Sequence, residues 1–249
     1  MEKNLEFTHE RVMPINFFKE KQLYYFHWSR YIYAKSYINR KDTVLDIACG
    51  SGYGTHELAM IAREVIGMDI DKDAVAFANQ KFQSNNIDYR VGSAEDVNLL
   101  ITNQVDVAVS FETIEHLTEE SQKKFVAGIH KILKPDGLFI VSTPNTLIYS
   151  GGKETTNEFH LHELTPTEFK SLLEGYFDNV IIVGQRKFQG SAVKNALNII
   201  GNFLVCLARF NFSNFRLNGD IGQQLGDFEF SNINVENAPF LVAICRKNQ

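Results

Sequence analysis

The sequence contains few cysteines, and their arrangement excludes two classes of protein. Only three occur in 249 residues, at Cys49, Cys206 and Cys245, and all three lie in apolar surroundings. An odd number at wide spacing suits neither a disulfide framework nor a cysteine-bound metal. We therefore predict buried thiols and a location in a reducing cytoplasm.

Long apolar runs and clusters of basic residues are also missing. No stretch reaches the roughly 18 consecutive apolar residues of a membrane-spanning helix, and the N-terminal residues lack the apolar core of a secretion signal. The formal net charge is −5, with no run of Lys or Arg that would bind the phosphates of a duplex. We expect no transmembrane segment and no duplex nucleic acid as a partner, although this charge still permits a short RNA end as substrate.

A glycine-rich turn follows a short apolar strand at residues 44–47. Gly50, Gly52 and Gly54 occupy three of five positions, which lets the backbone turn tightly and approach a ligand. The helix predicted next, at about residues 55–63, directs its first amides to the same place. A second strand ends at Asp69, nineteen positions after Gly50, where an acidic side chain meets ribose hydroxyls in a βαβ unit. The pattern predicts a nucleotide-type cofactor site.

The details of this turn disfavour the commonest nucleotide cofactors. The third glycine falls one position too early for the G-x-G-x-x-G dinucleotide fingerprint, and no P-loop sequence occurs. Asp46, at the end of the first strand, would repel a pyrophosphate but could hold an ammonium group directly or through water. The cofactor should therefore carry a ribose and a cation.

Two segments carry a family resemblance: residues 44–52, Val-Leu-Asp-Ile-Ala-Cys-Gly-Ser-Gly, and residues 67–71, Gly-Met-Asp-Ile-Asp. Together they resemble the class I S-adenosylmethionine-dependent methyltransferases. The resemblance covers about residues 25–185 and the last strand. It implies S-adenosylmethionine as cofactor and a backbone amide at Ala94 beside the adenine; Ser93 stands where the family often has Asp. The cofactor-binding residues expected in this part of the chain are Asp46, Ala48, Gly50, Gly52, Asp69, Ile70, Ser93, Ala94, Glu95 and Phe111.

Helix and strand patterns alternate through the first five strands, and the fold class follows from that alternation. Right-handed crossovers predict an α/β fold, a Rossmann-like doubly wound sheet of about seven strands, mostly parallel with one antiparallel strand. We expect a single domain over residues 1–249. A helical insertion at 187–236, apolar at 193–210, precedes the last strand and could form a pocket wall, a homodimer surface or an interfacial membrane contact, in that order.

Residues 16–38 have an aromatic-rich helical pattern. We expect this helix and the residues before it, residues 1–40 in all, to form an N-terminal helical lid. Its Glu10-Arg11-x-x-Pro14 and His27-x-x-Arg30-Tyr31 segments resemble those of bacterial methyltransferases often found with sugar-modifying enzymes. That resemblance implies that Arg30 and Tyr31 contact the methionyl carboxylate. In the alternative interpretation, the side chains of Arg30 and Tyr31 pack on the protein surface and only their polar tips reach water.

Two acidic and histidine-containing clusters follow the fourth and fifth strands. A helical turn would place Glu112, Glu115 and His116 on one face, and an extended segment would direct His160 and His162 the same way. One mechanism uses His116 or His160 as a general base, with Glu112 as a further catalytic residue. The other uses Mg²⁺, Mn²⁺ or Zn²⁺. The metal ligands would be Glu112, Glu115, His116 and His160.

The E-x-x-E-H spacing resembles that of small-RNA 2′-O-methyltransferases and ubiquinone-pathway O-methyltransferases, where it accompanies a divalent metal. We predict S-adenosylmethionine-dependent O-methylation of a sugar or other small metabolite, with the base mechanism preferred because the sequence does not identify outer partners for metal-bound histidines. The alternatives are a metal-dependent 2′-O-methyltransferase of an RNA end, a non-catalytic cofactor-binding partner of a modification cluster, and an enzyme acting on a nucleotide sugar.

Overall fold

The structure is a computed structural model that describes residues 21–153, 155, 157–187, 222–225 and 228–248, with only the backbone of 21–24 and 222–225. The predicted helix at 193–210, most of the insertion and its proposed dimer surface lie outside these residues. So do Cys206 and the first half of the predicted lid. Within the described residues, no helix is both long and apolar enough to cross a membrane.

Nine strands occur in this part of the chain. They are β1 (Thr43–Ile47), β2 (Glu64–Asp69), β3 (Ile87–Val91), β4 (Val105–Ser110), β5 (Leu133–Pro144), β6 (Asn179–Lys187), β7 (Gly222–Leu225), β8 (Phe228–Ser231) and β9 (Phe240–Arg246).

Seven α-helices accompany the strands within the described ranges, with 3₁₀ turns at Ala94–Asp96, Ile114–His116 and Val235–Asn237. The α-helices are α1 (Lys21–Lys35), α2 (Tyr53–Ala59), α3 (Lys72–Lys81), α4 (Val97–Leu100), α5 (Glu119–Ile132), α6 (Thr146–Tyr149) and α7 (Pro166–Glu174).

The strands form one sheet in the order β3-β2-β1-β4-β5-β9-β6-β8-β7. β1 to β5 are parallel, whereas β9 pairs antiparallel with both β5 and β6. This confirms the predicted doubly wound sheet with its antiparallel last strand. A hairpin of β7 and β8 extends the sheet beyond β6. It lies in the predicted insertion, where Phe228-Glu229-Phe230 already alternates with the period of a strand.

Local sequence signals explain where several helices begin. Thr118 precedes α5 as predicted, and its hydroxyl accepts a hydrogen bond from the Ser121 amide at 3.3 Å. Before α7, Thr165 and Glu168 form a reciprocal capping box. These side chains satisfy amides that a helix leaves without an intrahelical partner. The helices therefore start where capping residues stand in the sequence.

Helices cover both faces of the sheet and produce two large apolar clusters. On one face, Phe125 of α5 and Phe169 of α7 pack with Phe139 of β5. On the other face, Tyr33 of α1 packs with Phe230 of β8, and their rings are stacked with centroids 4.3 Å apart. The second half of α1 is thus a buried part of the core.

A buried amide on β6 fixes α1 to the sheet. Gln185 is fully buried, and its Oε1 accepts a 2.6 Å hydrogen bond from Nε of Arg30. Its Nε2 donates to the Phe26 carbonyl at 2.9 Å and to the Ser29 hydroxyl at 2.8 Å. One side chain therefore holds a full turn of α1 at three points.

Replacing Gln185 with Leu should destabilise the fold by about 2–4 kcal/mol, because buried partners, one of them charged, lose their hydrogen bonds. Urea unfolding followed by circular dichroism measures this change. The exposed Gln83 gives a matched control, since Gln83→Leu should change stability by no more than about 0.5 kcal/mol. Equal stabilities for the two variants would contradict the role given to Gln185.

Candidate active site

The parallel strands β1, β2, β3 and β4 bring the predicted cofactor residues to one edge of the sheet. Gly50 and Gly52 follow β1 with left-handed φ values of 53° and 85°. A Cβ at Gly52 would lie 2.8 Å from the Tyr89 hydroxyl, so only glycine fits, whereas the space around the Gly50 position is open. The loop therefore offers a bare stretch of backbone at this edge.

Asp69, the last residue of β2, organises that loop. Its Oδ2 accepts a hydrogen bond from the Gly50 amide at 2.8 Å, and its Oδ1 accepts one from the Asp71 amide at 2.9 Å. Because an ionised carboxylate has about four acceptor positions, further capacity remains on both oxygens. The side chain of the next residue, Ile70, is 71% exposed. An acid and an apolar side chain thus stand together beside the glycine turn.

Asp46 is buried inside β1 and bonds to hydroxyl groups. Thr55 donates to its Oδ2 at 2.6 Å, and Tyr31 donates to its Oδ1 at 3.4 Å. Burial raises the pKa of Asp46 to about 7, with a smaller contribution from the nearby charge of Asp69. Burial also raises the pKa of the adjacent Cys49 thiol, so this thiol stays protonated.

The predicted adenine-side residues follow β3. Ser93 precedes the 3₁₀ turn, and its hydroxyl accepts a hydrogen bond from the Glu95 amide at 3.2 Å. Ala94 and Glu95 are partly buried in that turn. Ser93 Oγ is thus engaged in holding the turn.

Phe111 and Arg30 lie on the acceptor side of the same edge. The buried Phe111 meets the Tyr31 ring edge-on at 4.9 Å. Arg30 is fully buried, and its guanidinium carbon lies 4.5 Å from the centre of the Phe240 ring. Its Nη1 forms an ion pair with Oε1 of Glu112 at 3.1 Å, without the alignment of a hydrogen bond. Nη2 has no hydrogen-bond partner among the described residues.

Glu112 is held away from the predicted helical face. Its backbone is left-handed, with φ 54°, and its amide donates to the Ser142 hydroxyl at 3.1 Å. Ser142 in turn donates to Glu112 Oε1 at 2.7 Å. Ala48, which follows β1, also has a left-handed φ of 58°. Non-glycine residues in this conformation cost of order 1–3 kcal/mol each and concentrate at functional sites.

Glu115, His116 and His160 come together without Glu112. One ligand-type atom from each lies within 4.8 Å of the others, and the two imidazole rings meet edge-on at 5.0 Å. Burial raises the pKa of Glu115 well above its ordinary value, and the charge of Glu112 adds to this effect. Glu115 Oε1 is buried and has no hydrogen-bond partner among the described residues. The cluster is therefore polar and incompletely satisfied.

The segment at residues 159–163 is not extended, so the condition under which His160 and His162 would point the same way is not met. The His160 amide bonds to the Asn157 carbonyl at 3.1 Å, which closes a turn. His160 consequently faces His116, whereas His162 Nδ1 lies 3.0 Å from Gln122 Oε1. His162 is held by α5 and takes no part in the cluster.

Sequence reasoning missed four residues that position this site. Gln185 orients Arg30, Ser142 holds Glu112, and Thr143 donates to Glu115 at 3.4 Å. Glu163 lies 2.6 Å from His160 Nδ1. Only Glu163 had a local signal, because it follows His160 by three positions.

The residues at this edge fit S-adenosylmethionine. The open space at Gly50 would admit the methionyl part, and Asp69 retains acceptor capacity for ribose hydroxyls. The buried Nη2 of Arg30 lacks a partner among the described residues, so a carboxylate of the cofactor would satisfy it. The positive charge of Arg30, which would oppose the sulfonium, is balanced by Glu112.

The raised pKa of Asp46 should make stability depend on pH. The unfolded carboxyl ionises near its ordinary 3.8, whereas folded Asp46 keeps its proton to about pH 7. Folding therefore takes up a proton between these values, and the free energy of unfolding falls as pH rises from about 4 to 7, by up to about 4 kcal/mol. Urea unfolding of Asp46→Asn should lack this component. Parallel pH curves for the variant and the original protein would contradict the assignment.

Comparison with known proteins agrees with this geometry. Residues 45–141 match a family model described as "Methyltransferase domain". A probable S-adenosylmethionine-dependent methyltransferase of Mycolicibacterium smegmatis is 41% identical over 132 residues, 53% of this chain and 49% of that protein. One from Mycobacterium tuberculosis is 39% identical over 132 residues, 52% of this chain and 46% of that protein. The chain thus spans about half the length of these relatives.

A ubiquinone biosynthesis O-methyltransferase of Bradyrhizobium diazoefficiens is 32% identical over 104 residues, 41% of this chain and 40% of that protein.

Solved structures share the fold. A SAM-dependent methyltransferase of Archaeoglobus fulgidus has a TM-score of 0.60 at 20% identity, covering 94% of this chain and 100% of that one. The N-methyltransferase NodS of Bradyrhizobium japonicum, with S-adenosyl-L-homocysteine, has 0.60 at 13% identity, covering 96% and 94%. The small RNA methyltransferase HEN1 has 0.60 at 21% identity, covering 96% and 27%. Residues 45–141 are therefore part of a class I S-adenosylmethionine-dependent methyltransferase domain.

Proposed function

We propose that the protein transfers the methyl group of S-adenosylmethionine to a hydroxyl group of a sugar or another small metabolite. The observation that carries this proposal is the division of one sheet edge into two halves. Gly50 and Asp69 form a cofactor half at β1 and β2, and Glu115, His116 and His160 form a polar cluster beyond β4 and β5. A methyl donor on the first half would face groups able to manage a proton on the second.

The cofactor, when bound, supplies a methyl group on a sulfonium with a good leaving group. The protein then has to align the acceptor, exclude water and remove the hydroxyl proton. Phe111 and Tyr31 are buried between the two halves and would keep water away from the methyl. Arg30 would hold the methionyl carboxylate, with Glu112 and Gln185 fixing its guanidinium.

Both histidines of the cluster are prepared to accept a proton on the same ring nitrogen. His116 Nδ1 lies 2.9 Å from the Phe159 carbonyl, which can only accept, so this nitrogen carries the hydrogen. His160 Nδ1 faces the Glu163 carboxylate at 2.6 Å in the same way. In a ring that carries its one hydrogen on Nδ1, Nε2 is the basic atom, and we propose that one of the two histidines deprotonates the acceptor.

The other acidic residues have supporting roles in this proposal. Glu112 neutralises Arg30 rather than contacting the acceptor. Burial raises the pKa of Glu115 and so favours its protonated form, which can donate a hydrogen bond to the acceptor oxygen.

A divalent metal is the second candidate for activating the hydroxyl, and the geometry of the cluster supports this mechanism too. Glu115, His116 and His160 could supply three ligands, although Glu112 is engaged by Arg30. The Phe159 carbonyl and Glu163 are outer partners of the kind that metal-bound histidines use. The sequence alone favours a base because it identifies no such partners, and these two contacts remove that argument.

The O-methyltransferase names of the ubiquinone-pathway relatives support an oxygen acceptor. An RNA end is the alternative acceptor, in a metal-dependent 2′-O-methylation, but the net charge of −5 gives it little electrostatic support. We also propose a reducing, cytoplasmic location, which the free and buried Cys49 and Cys245 support.

Asp69→Ala should weaken binding of S-adenosylhomocysteine by about 10² or more, because charge-assisted hydrogen bonds contribute about 1.5–3 kcal/mol each. Isothermal titration calorimetry measures the affinity. Asp73→Ala removes an exposed acid from the first turn of α3, four positions after Asp69, and should leave binding unchanged. Equal affinity in the Asp69 and Asp73 variants would show that the ribose site lies elsewhere.

The two ways of activating the acceptor predict different responses to a chelator. Formation of S-adenosylhomocysteine would be measured over a panel of sugars, phenols and an RNA oligonucleotide, with and without EDTA. Under the base mechanism, His116→Ala or His160→Ala lowers the rate by roughly 10²–10⁴, and EDTA has no effect.

Under the metal mechanism, EDTA abolishes turnover and Mg²⁺, Mn²⁺ or Zn²⁺ restores it. Alanine at Glu115, His116 or His160 should then each reduce activity nearly as much as the triple variant, because the ligands act as a unit. No turnover with any acceptor, in a protein that binds the cofactor, would overturn the proposed transfer to a small hydroxyl.

A further inference from the structure

Glu163 lies behind the polar cluster, and the reaction proposed above uses it only as a neighbour of His160 Nδ1. Its side chain is only 4% exposed. One carboxylate oxygen, Oε1, faces His160 Nδ1 at 2.6 Å, while Oε2 is bonded by the Ser150 hydroxyl. The Thr155 side chain also hydrogen-bonds this carboxylate. An enclosed carboxylate with both oxygens engaged has a fixed orientation.

The His160 ring is fixed on its other sides as well. Its side chain is 5% exposed. The Tyr149 ring stacks on it with centroids 5.4 Å apart and planes 28° apart, and the His116 ring meets it edge-on. The ring therefore sits in a defined plane, and only the placement of its proton remains to be set.

We propose that Glu163 is a positioning residue that holds His160 as the Nδ1–H tautomer, so that Nε2 is the nitrogen offered to the acceptor or to a metal. This inference rests on the proposed function, because it concerns the same cluster. It goes further by naming the group that prepares His160. A carboxylate hydrogen bond at Nδ1 also stabilises the cation that forms when Nε2 takes a proton. His116 has only a neutral carbonyl in the corresponding place.

The contacts of Glu163 support this role. The Ser150 and Thr155 side chains bond the same carboxylate that faces His160, and carboxylate oxygens accept hydrogen bonds from such donors. Nδ1 of His160 is then the donor, and the opposite tautomer would place two lone pairs against each other.

A purely structural role is the competing explanation, since Glu163 also connects its loop to Ser150, beside α6. The two roles differ in what they change. A structural tie affects folding and cofactor affinity, whereas a positioning residue changes the tautomer of His160 and the turnover number. The experiment therefore needs a spectroscopic readout that does not require methyl transfer.

Long-range ¹H–¹⁵N NMR of the histidine rings provides that readout in the full chain with S-adenosylhomocysteine bound. His160→Gln identifies the signal. Wild type and Glu158→Gln, which removes an exposed charge from the same loop, should show Nδ1–H. Glu163→Leu and Glu163→Met, which have no acceptor, should shift His160 towards Nε2–H. Their kcat should fall by roughly 10–10², the usual effect of removing such a partner, with KM for S-adenosylmethionine within about twofold.

Glu163→Gln restores an acceptor at the same distance and should recover part of kcat. The proposal is overturned if wild-type His160 carries its hydrogen on Nε2. This measurement does not depend on whether any variant folds. The proposal is also overturned if the two apolar variants keep Nδ1–H, or keep the wild-type kcat. If no acceptor is methylated by the wild type, the proposed function fails, while the tautomers still decide the role of Glu163.

Discussion

The burial of one guanidinium constrains the rest of the site. A charged side chain taken out of water needs partners, because an unpaired buried charge costs several kcal/mol. Arg30 finds them on three separate parts of the chain: the Gln185 amide on β6, the Glu112 carboxylate after β4 and the Phe240 ring on β9. The next residue, Tyr31, reaches Asp46 on β1. One turn of α1 thus sets the distance between the cofactor half and the acceptor half of the edge.

Features that depend on local pattern were predictable from the sequence. The apolar strands, the glycine turn and Asp69 at the end of β2 follow from spacing, and parallel connectivity then places them at one edge. The same reasoning found Thr118 at the start of α5. Each of these depends on neighbours within about twenty residues, which is the range over which periodicity and turn chemistry act.

Contacts between distant parts of the chain could not be predicted in this way. Gln185 lies 155 positions from Arg30, and a polar residue within an apolar strand gives no sign of its partner. Ser142 on β5 likewise gives no sign in the sequence of its partner, yet its hydroxyl holds Glu112. The left-handed backbone of Glu112 places its side chain away from the expected helical face. The turn that carries His160 depends on Asn157 rather than on alternation. Tertiary contacts decided each of these placements.

The glycine turn contains a buried thiol, Cys49, whose rate of chemical labelling reports how often the turn opens. Cys49 is 3% exposed and its pKa is raised, so alkylating reagents meet neither a thiolate nor an accessible sulfur while the loop is closed. Its amide also bonds to the Met68 carbonyl at 3.0 Å, next to Asp69. The Cys49 side chain packs with residues of α3 and β3, so labelling at this cysteine requires the turn to move away from them, and its rate measures how often this happens.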